Sequence, residues 1–171
     1  MAGSLILVDS DTASNSASIT LSNMSSTYDV YKVTVNKLFP VNDNVYVRGR
    51  FTESGTPNTT SNYDHAYKNM YSSAFSNSNY PNRTFFYMAN NYIGTGTQEQ
   101  FNAVCYIFNS QASDEYTFIT NENISRGHTY SLWSNQGGGV FTVASVVDGI
   151  EFSLDSGNIS SGEFKLYGLK K

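Results

Sequence analysis

Bulky apolar residues alternate with polar ones along several short runs of this chain, and that spacing decides what it can fold into. Tyr31, Val33 and Val35 fall on one side of an extended backbone, with Lys32, Thr34 and Asn36 on the other. Val45, Val47, Gly49 and Phe51 alternate with Tyr46, Arg48 and Arg50, and Ile150, Phe152 and Leu154 alternate with Glu151 and Ser153. A period of two is the signature of half-buried β-strands, and the 3.6-residue spacing of an amphipathic helix is scarce. The segments between the runs are rich in Ser, Asn, Thr and Gly, the residues of turns and exposed connections.

The pattern predicts strands at Leu5 to Val8, Ala17 to Leu21, Tyr28 to Phe39, Val45 to Phe51, Thr84 to Met88, Phe101 to Phe108, Tyr116 to Thr120, His128 to Trp133, Val140 to Val147, Ile150 to Leu154 and Glu163 to Leu169. Short strands separated by turn signals point to an all-β fold, an antiparallel β-sandwich of jelly-roll type with long loops at one end. Gln136 to Gly139 reads as a turn that opens a strand, and Asp148-Gly149 as a hairpin dipeptide. Residues 52–83 resist the scheme: Tyr63, Tyr67, Met70 and Tyr71 sit at helix-like intervals among Ser, Asn, Thr and Gly. They are expected to form a long display loop with a single helical turn, since connections of that length are commonly functional. No internal repeat or heptad run divides the chain, so 1–171 reads as one domain, with 1–16 as an attachment arm.

Charged residues make up 14% of the chain, against roughly 25% in an average protein, so the surface is polar but weakly charged. Ten Lys and Arg against fourteen Asp and Glu offer no electrostatic footprint for a nucleic-acid backbone. No apolar run has the length of a membrane span, and residues 1–8 lack the basic start of a secretory signal. Synthesis in a cytoplasm without membrane insertion is the expectation. Cys105 is the only cysteine, so the chain holds no internal disulfide, and within its apolar run it reads as a small buried hydrophobe.

Chemistry-bearing residues are sparse. The two histidines, His65 and His128, lie in different segments with no nucleophile motif near either, and Tyr63-Asp64-His65 is the most reactive-looking tripeptide. Glu53, Asp64, Glu99, Asp148 and Glu151 are the acids worth testing as a glycosidase pair. Asp9 and Asp11, and Asp114 and Glu115, lack the ligand spacing of a calcium loop. Neither a catalytic set, a metal site nor a cofactor is expected. Flat rings beside amides and arginines suit sugar recognition better, which selects Tyr63, Tyr67, Tyr71, Tyr80, Asn91, Tyr92 and Trp133 as a candidate glycan or partner surface. Arg48 and Arg50, on the polar side of their strand, are candidates for an oligomer or docking surface.

Two stretches carry a resemblance: Ser25-Ser26-Thr27-Tyr28-Asp29-Val30-Tyr31-Lys32-Val33, and Gly157-Asn158-Ile159-Ser160-Ser161-Gly162-Glu163-Phe164-Lys165-Leu166-Tyr167-Gly168. With Val47-Arg48-Gly49-Arg50-Phe51 and Ser61-Asn62-Tyr63 between them, the chain resembles small β-rich structural proteins of tailed bacteriophages, especially marine and cyanobacterial phages. The resemblance implies a virion-surface protein without enzymatic activity, made in the host cytoplasm. It implies docking on other virion proteins and assembly as a homo-oligomer, with trimers common in that setting. Presentation of loops to a host-surface glycan or protein, as at a tail-fibre tip, is the implied role, with capsid decoration as the alternative. A glycan-cleaving depolymerase is the remote third possibility.

Overall fold

A computed structural model describes residues 4–127 and 132–169. The protein is an all-β sandwich of two antiparallel sheets packed together, with no helix among the described residues. The strands are β1 (Leu5–Ser16), β2 (Ser18–Leu21), β3 (Val30–Pro40), β4 (Val47–Glu53), β5 (Thr56–Pro57), β6 (Tyr63–Tyr71), β7 (Phe75–Arg83), β8 (Phe86–Tyr87), β9 (Phe101–Phe108), β10 (Tyr116–Arg126), β11 (Leu132–Ala144), β12 (Gly149–Leu154) and β13 (Ile159–Leu169). The larger sheet has eight strands in the order β1-β13-β3-β9-β10-β11-β6-β7. The smaller runs β2-β12-β4-β5, with β8 also pairing β4.

The expected period of two holds where the sheets face each other. Tyr31, Val33 and Val35 of β3, Phe101, Cys105 and Ile107 of β9, and Phe164 and Leu166 of β13 turn inward from the larger sheet. Val47, Phe51, Ile150 and Phe152 meet them from the smaller one. Burying a side chain of this size contributes roughly 1.5–3 kcal/mol. The fold therefore rests on these alternating positions.

Both stretches that carry the phage resemblance lie in neighbouring strands and lock to each other. The Tyr31 hydroxyl accepts the Ser25 N–H at 2.6 Å and donates to the Ser25 carbonyl at 2.7 Å, closing the turn before β3. Lys32 pairs with Tyr167 and Tyr31 with Gly168 across the ladder. Any Cβ at Gly168 would run into the Tyr28 ring, coming within 2.5 Å of its Cε2. The glycine is required by the ring that lies on it.

Three expectations are corrected. Residues 52–83 are not a display loop: β6 and β7 form a hairpin on the end of the larger sheet, joined through β6 to β11. The inward side of β6 reads Tyr63, His65, Tyr67, Asn69 and Tyr71, a strict period of two hidden because His and Asn occupy alternate inward positions. Residues 5–16, within the expected attachment arm, form an edge strand paired along β13. Gly137, Gly138 and Gly139 do not turn the chain; they lie inside β11, where a Cβ at Gly138 would come within 2.5 Å of the Ile119 carbonyl oxygen. Asp148-Gly149 joins strands of different sheets, so it is a crossover and not a hairpin. Of the strand expected at His128 to Trp133, residues 128–131 lie outside the described residues, while Leu132 and Trp133 open β11.

Candidate functional site

The smaller sheet is too narrow to cover the larger one, and two clusters form where its coverage ends. The first lies on its outer side. Arg48 pairs with Tyr87 across β4 and β8, because alternation that turns Val47 and Gly49 inward must turn Arg48 and Arg50 outward. Around Tyr87 the rings of Tyr46 and Phe85 approach to 5.1 and 4.9 Å, and that of Tyr80 to 4.9 Å. Tyr92 continues the row, 4.0 Å from Tyr46. All five rings are half-buried. Three guanidinium groups border them: Arg48 lies 4.5 Å and Arg50 5.7 Å from the Phe85 ring, and Arg83 lies 5.4 Å from Tyr80. Contacts of this geometry are attractive because the ring face is electron-rich.

The patch is held from behind by His65. Its imidazole stacks on Tyr80 at 5.1 Å, and its Nε2 accepts the Tyr87 N–H at 3.3 Å. Burial, and after it the charge of Arg83, lowers the His65 pKa to about 4, so the ring is neutral at pH 7. Burial also raises the Tyr46 phenol well above its usual range, helped by its hydrogen bond with Tyr92. Arg50 donates from Nε to the Thr84 carbonyl at 3.0 Å and pairs with Glu151 at 3.5 Å. Its side chain is thus committed within the chain, whereas Arg83 is exposed.

The second cluster is a layer of amides on the inner face of β10, β11, β6 and β7, roofed by residues 88–100. A roof of irregular backbone exposes carbonyls that need donors, and asparagines supply them: Asn121 and Asn123 donate to the Met88 carbonyl at 2.8 and 2.6 Å. Asn69 Oδ1 accepts from Asn135 at 2.6 Å and from Asn90 at 3.0 Å. At the end of this layer the Asn91 Nδ2 and Trp133 Nε1 donors are buried without hydrogen-bond partners among the described residues. Both face Gly127, lying 2.6 and 3.1 Å from the point a Cβ there would occupy.

The residues selected from sequence divide between these clusters and the core. Tyr80, Tyr92, Arg48 and Arg50 converge on the aromatic patch. Tyr71, Asn91 and Trp133 gather at the amide layer, with the Tyr71 and Trp133 rings 4.2 Å apart. Tyr63 and Tyr67 are 0% and 4% exposed, because strand alternation turns both inward: Tyr63 packs against Phe86 of the smaller sheet, and Tyr67 lies against Asn121 of the amide layer. Tyr46, Phe85, Tyr87 and Arg83 were missed. For Tyr46 the signal was present, since it alternates with the buried Val45 and Val47 and so must share a face with Arg48.

The acids singled out for catalysis are each tied to a neighbour. Glu53 accepts from Asn58 at 2.6 Å, Asp64 from the Asn82 N–H at 2.6 Å, and Glu99 from the Gly96 N–H at 2.9 Å. Asp148 accepts the Thr52 hydroxyl at 2.5 Å and the Gly55 N–H at 2.7 Å, while Glu151 holds Arg50. In Tyr63-Asp64-His65 the strand sends the first and third side chains inward and the acid outward, so the three do not converge. Cys105 is buried, which pushes its thiol pKa up to about 12. Among the described residues no three His, Cys, Asp or Glu side chains come together as a metal site, and no helix is long and apolar enough to cross a membrane. Shallow grooves run along the outer face of the larger sheet, one of them between Thr34, Val104 and Glu122. The aromatic patch is half-buried, with the exposed Arg83 at its border. A row of rings with guanidinium groups at its border can hold an extended or flat partner, because the C–H faces of sugars pack on rings while arginines take up anionic groups. No family model, curated protein or solved structure matches the chain.

Proposed function

We propose that this chain is a non-enzymatic structural protein of a tailed-phage virion that presents its aromatic and arginine patch for attachment to the host surface. The four motifs of the phage resemblance support the virion half of this reading. One observation carries the attachment half: five half-buried rings and three arginines share one face of a protein whose net charge is −4. Aromatic residues and arginine are the types enriched at binding hot spots. Arg83 is the exposed cation of the patch, and the partner it fits is an acidic glycan or an acidic protein surface.

Antibody labelling of virions, viewed by electron microscopy, tests the assignment. Label at the tail tip supports it, label spread over the head identifies a capsid decoration protein, and unlabelled particles contradict both. Cleavage of host polysaccharide by the purified chain, lost in Glu53→Gln, Asp64→Asn or Glu151→Gln, would instead establish a depolymerase.

A further inference from the structure

We infer that the outer face of the eight-stranded sheet is an interface with a second copy of this chain, packed face to face about a two-fold axis running along β9. Strand register arranges this face in rows. Val30, Phe108, Phe118 and Val140 form one row across β3, β9, β10 and β11. Tyr167, Lys32, Tyr106, Thr120 and Gly138 form the next, with Leu7 of β1 at its end. Lys165, Thr34, Val104, Glu122 and Gln136 form the third. Phe118 is 46% and Leu7 54% exposed. Water-facing sheets ordinarily carry polar residues at such positions. An apolar row that is contiguous across four strands calls for a partner.

The charge pattern identifies a second copy as that partner. A two-fold rotation about β9 exchanges β3 with β10 and β13 with β11 while keeping the strand direction, as aligned sheet packing requires. Glu122 of one copy then lands between Lys32 and Lys165 of the other, beside the exposed pair that Lys165 makes with Glu163 at 3.8 Å. The Glu122 carboxylate is already oriented by Gln136, which donates to it at 2.7 Å. The shapes agree with the charges: Phe118 meets Val30, Ala66 meets Leu7, and Gly138, which carries no side chain, receives the Tyr167 ring. Gly138 also has a reason within its own sheet, its close approach to Ile119. Five strands about 4.8 Å apart and three rows about 7 Å apart present roughly 500 Å² per copy. The pair therefore covers about 1,000 Å², the lower bound of specific interfaces, so the dimer dissociates on dilution. This pairing yields assemblies of even number, not the trimer the phage resemblance implies, and it does not depend on the attachment reading.

Sedimentation equilibrium of the full chain from about 1 to 100 μM tests it. The mass is expected to rise with concentration from 18.9 kDa toward twice that value. Phe118→Glu and Glu122→Lys, both at exposed positions, are each expected to weaken association at least about tenfold. Combining Glu122→Lys with Lys32→Glu and Lys165→Glu is expected to restore it, and circular dichroism melting of each variant verifies that it is folded. A monomer at every concentration overturns the interface, as does an oligomer indifferent to both single substitutions. A trimer, or a charge exchange that fails to restore association, overturns the two-fold geometry.

Discussion

Replacing Tyr63 separates the hairpin from the display loop with a magnitude that can be worked in advance. Its ring is fully buried, 4.9 Å from both Phe86 and Phe141, and its hydroxyl donates to the Asn58 carbonyl at 2.9 Å. Tyr63→Phe removes only the hydrogen bond, which costs about 1 kcal/mol. Tyr63→Ala removes the ring as well and leaves a cavity, which costs about 3–5 kcal/mol. For 171 residues the unfolding entropy is roughly 0.36 kcal/mol/K at about 2.1 cal/mol/K per residue. The melting midpoint should therefore fall by about 3 °C for Tyr63→Phe and about 8–14 °C for Tyr63→Ala. Differential scanning calorimetry reads both. A Tyr63→Ala protein that melts within about 2 °C of wild type would refute the packing of β6 beneath the smaller sheet and return residues 52–83 to a loop.

Two further predictions concern stability under different perturbations. His65 has a folded pKa near 4, below the unfolded value of about 6.5, so the unfolded chain binds more protons between those values. Stability should fall by up to about 3 kcal/mol as pH drops from 6.5 to 4 and level off below, with the His65 NMR resonance titrating near 4; a titration near 6.5 would show the ring in water. Gly139→Ala places a Cβ 2.6 Å from the Asp64 carbonyl oxygen and from Phe86 Cε1. It should lower stability by about 1–3 kcal/mol in urea denaturation, and an unchanged midpoint would show that β11 and β6 do not approach so closely.

Alternation alone made the central strands legible. β9 was bounded at Phe101 and Phe108 from its sequence, and β3, β4, β12 and β13 were found with shifted ends, because their inward positions are almost all aliphatic or aromatic. The hairpin of β6 and β7 was not legible for the opposite reason. Inward positions there are His65, Asn69, Ser76 and Ser78, polar residues that an apolar count scores as loop. They face inward because the smaller sheet stops short and the roof of residues 88–100 needs hydrogen-bond partners. Half of the candidate site followed from alternation, which placed Arg48 and Arg50 outward. Phe85, Tyr87 and Arg83 reach the same patch only through the β4 and β8 pairing, a contact between segments distant in the chain. Tyr63 and Tyr67 were assigned to a surface because their own strand was missed.

Binding of the purified chain to an array of bacterial surface polysaccharides tests the attachment claim most directly, with Arg83→Ala as the probe of the patch and Lys68→Ala, on the opposite face of the larger sheet, as the control. The account predicts that wild type and Lys68→Ala retain acidic polysaccharides while Arg83→Ala binds at least about tenfold more weakly, the loss of one charge-assisted contact. Undiminished binding by Arg83→Ala would contradict it, and wild-type protein that retains no polysaccharide would contradict a glycan as the partner.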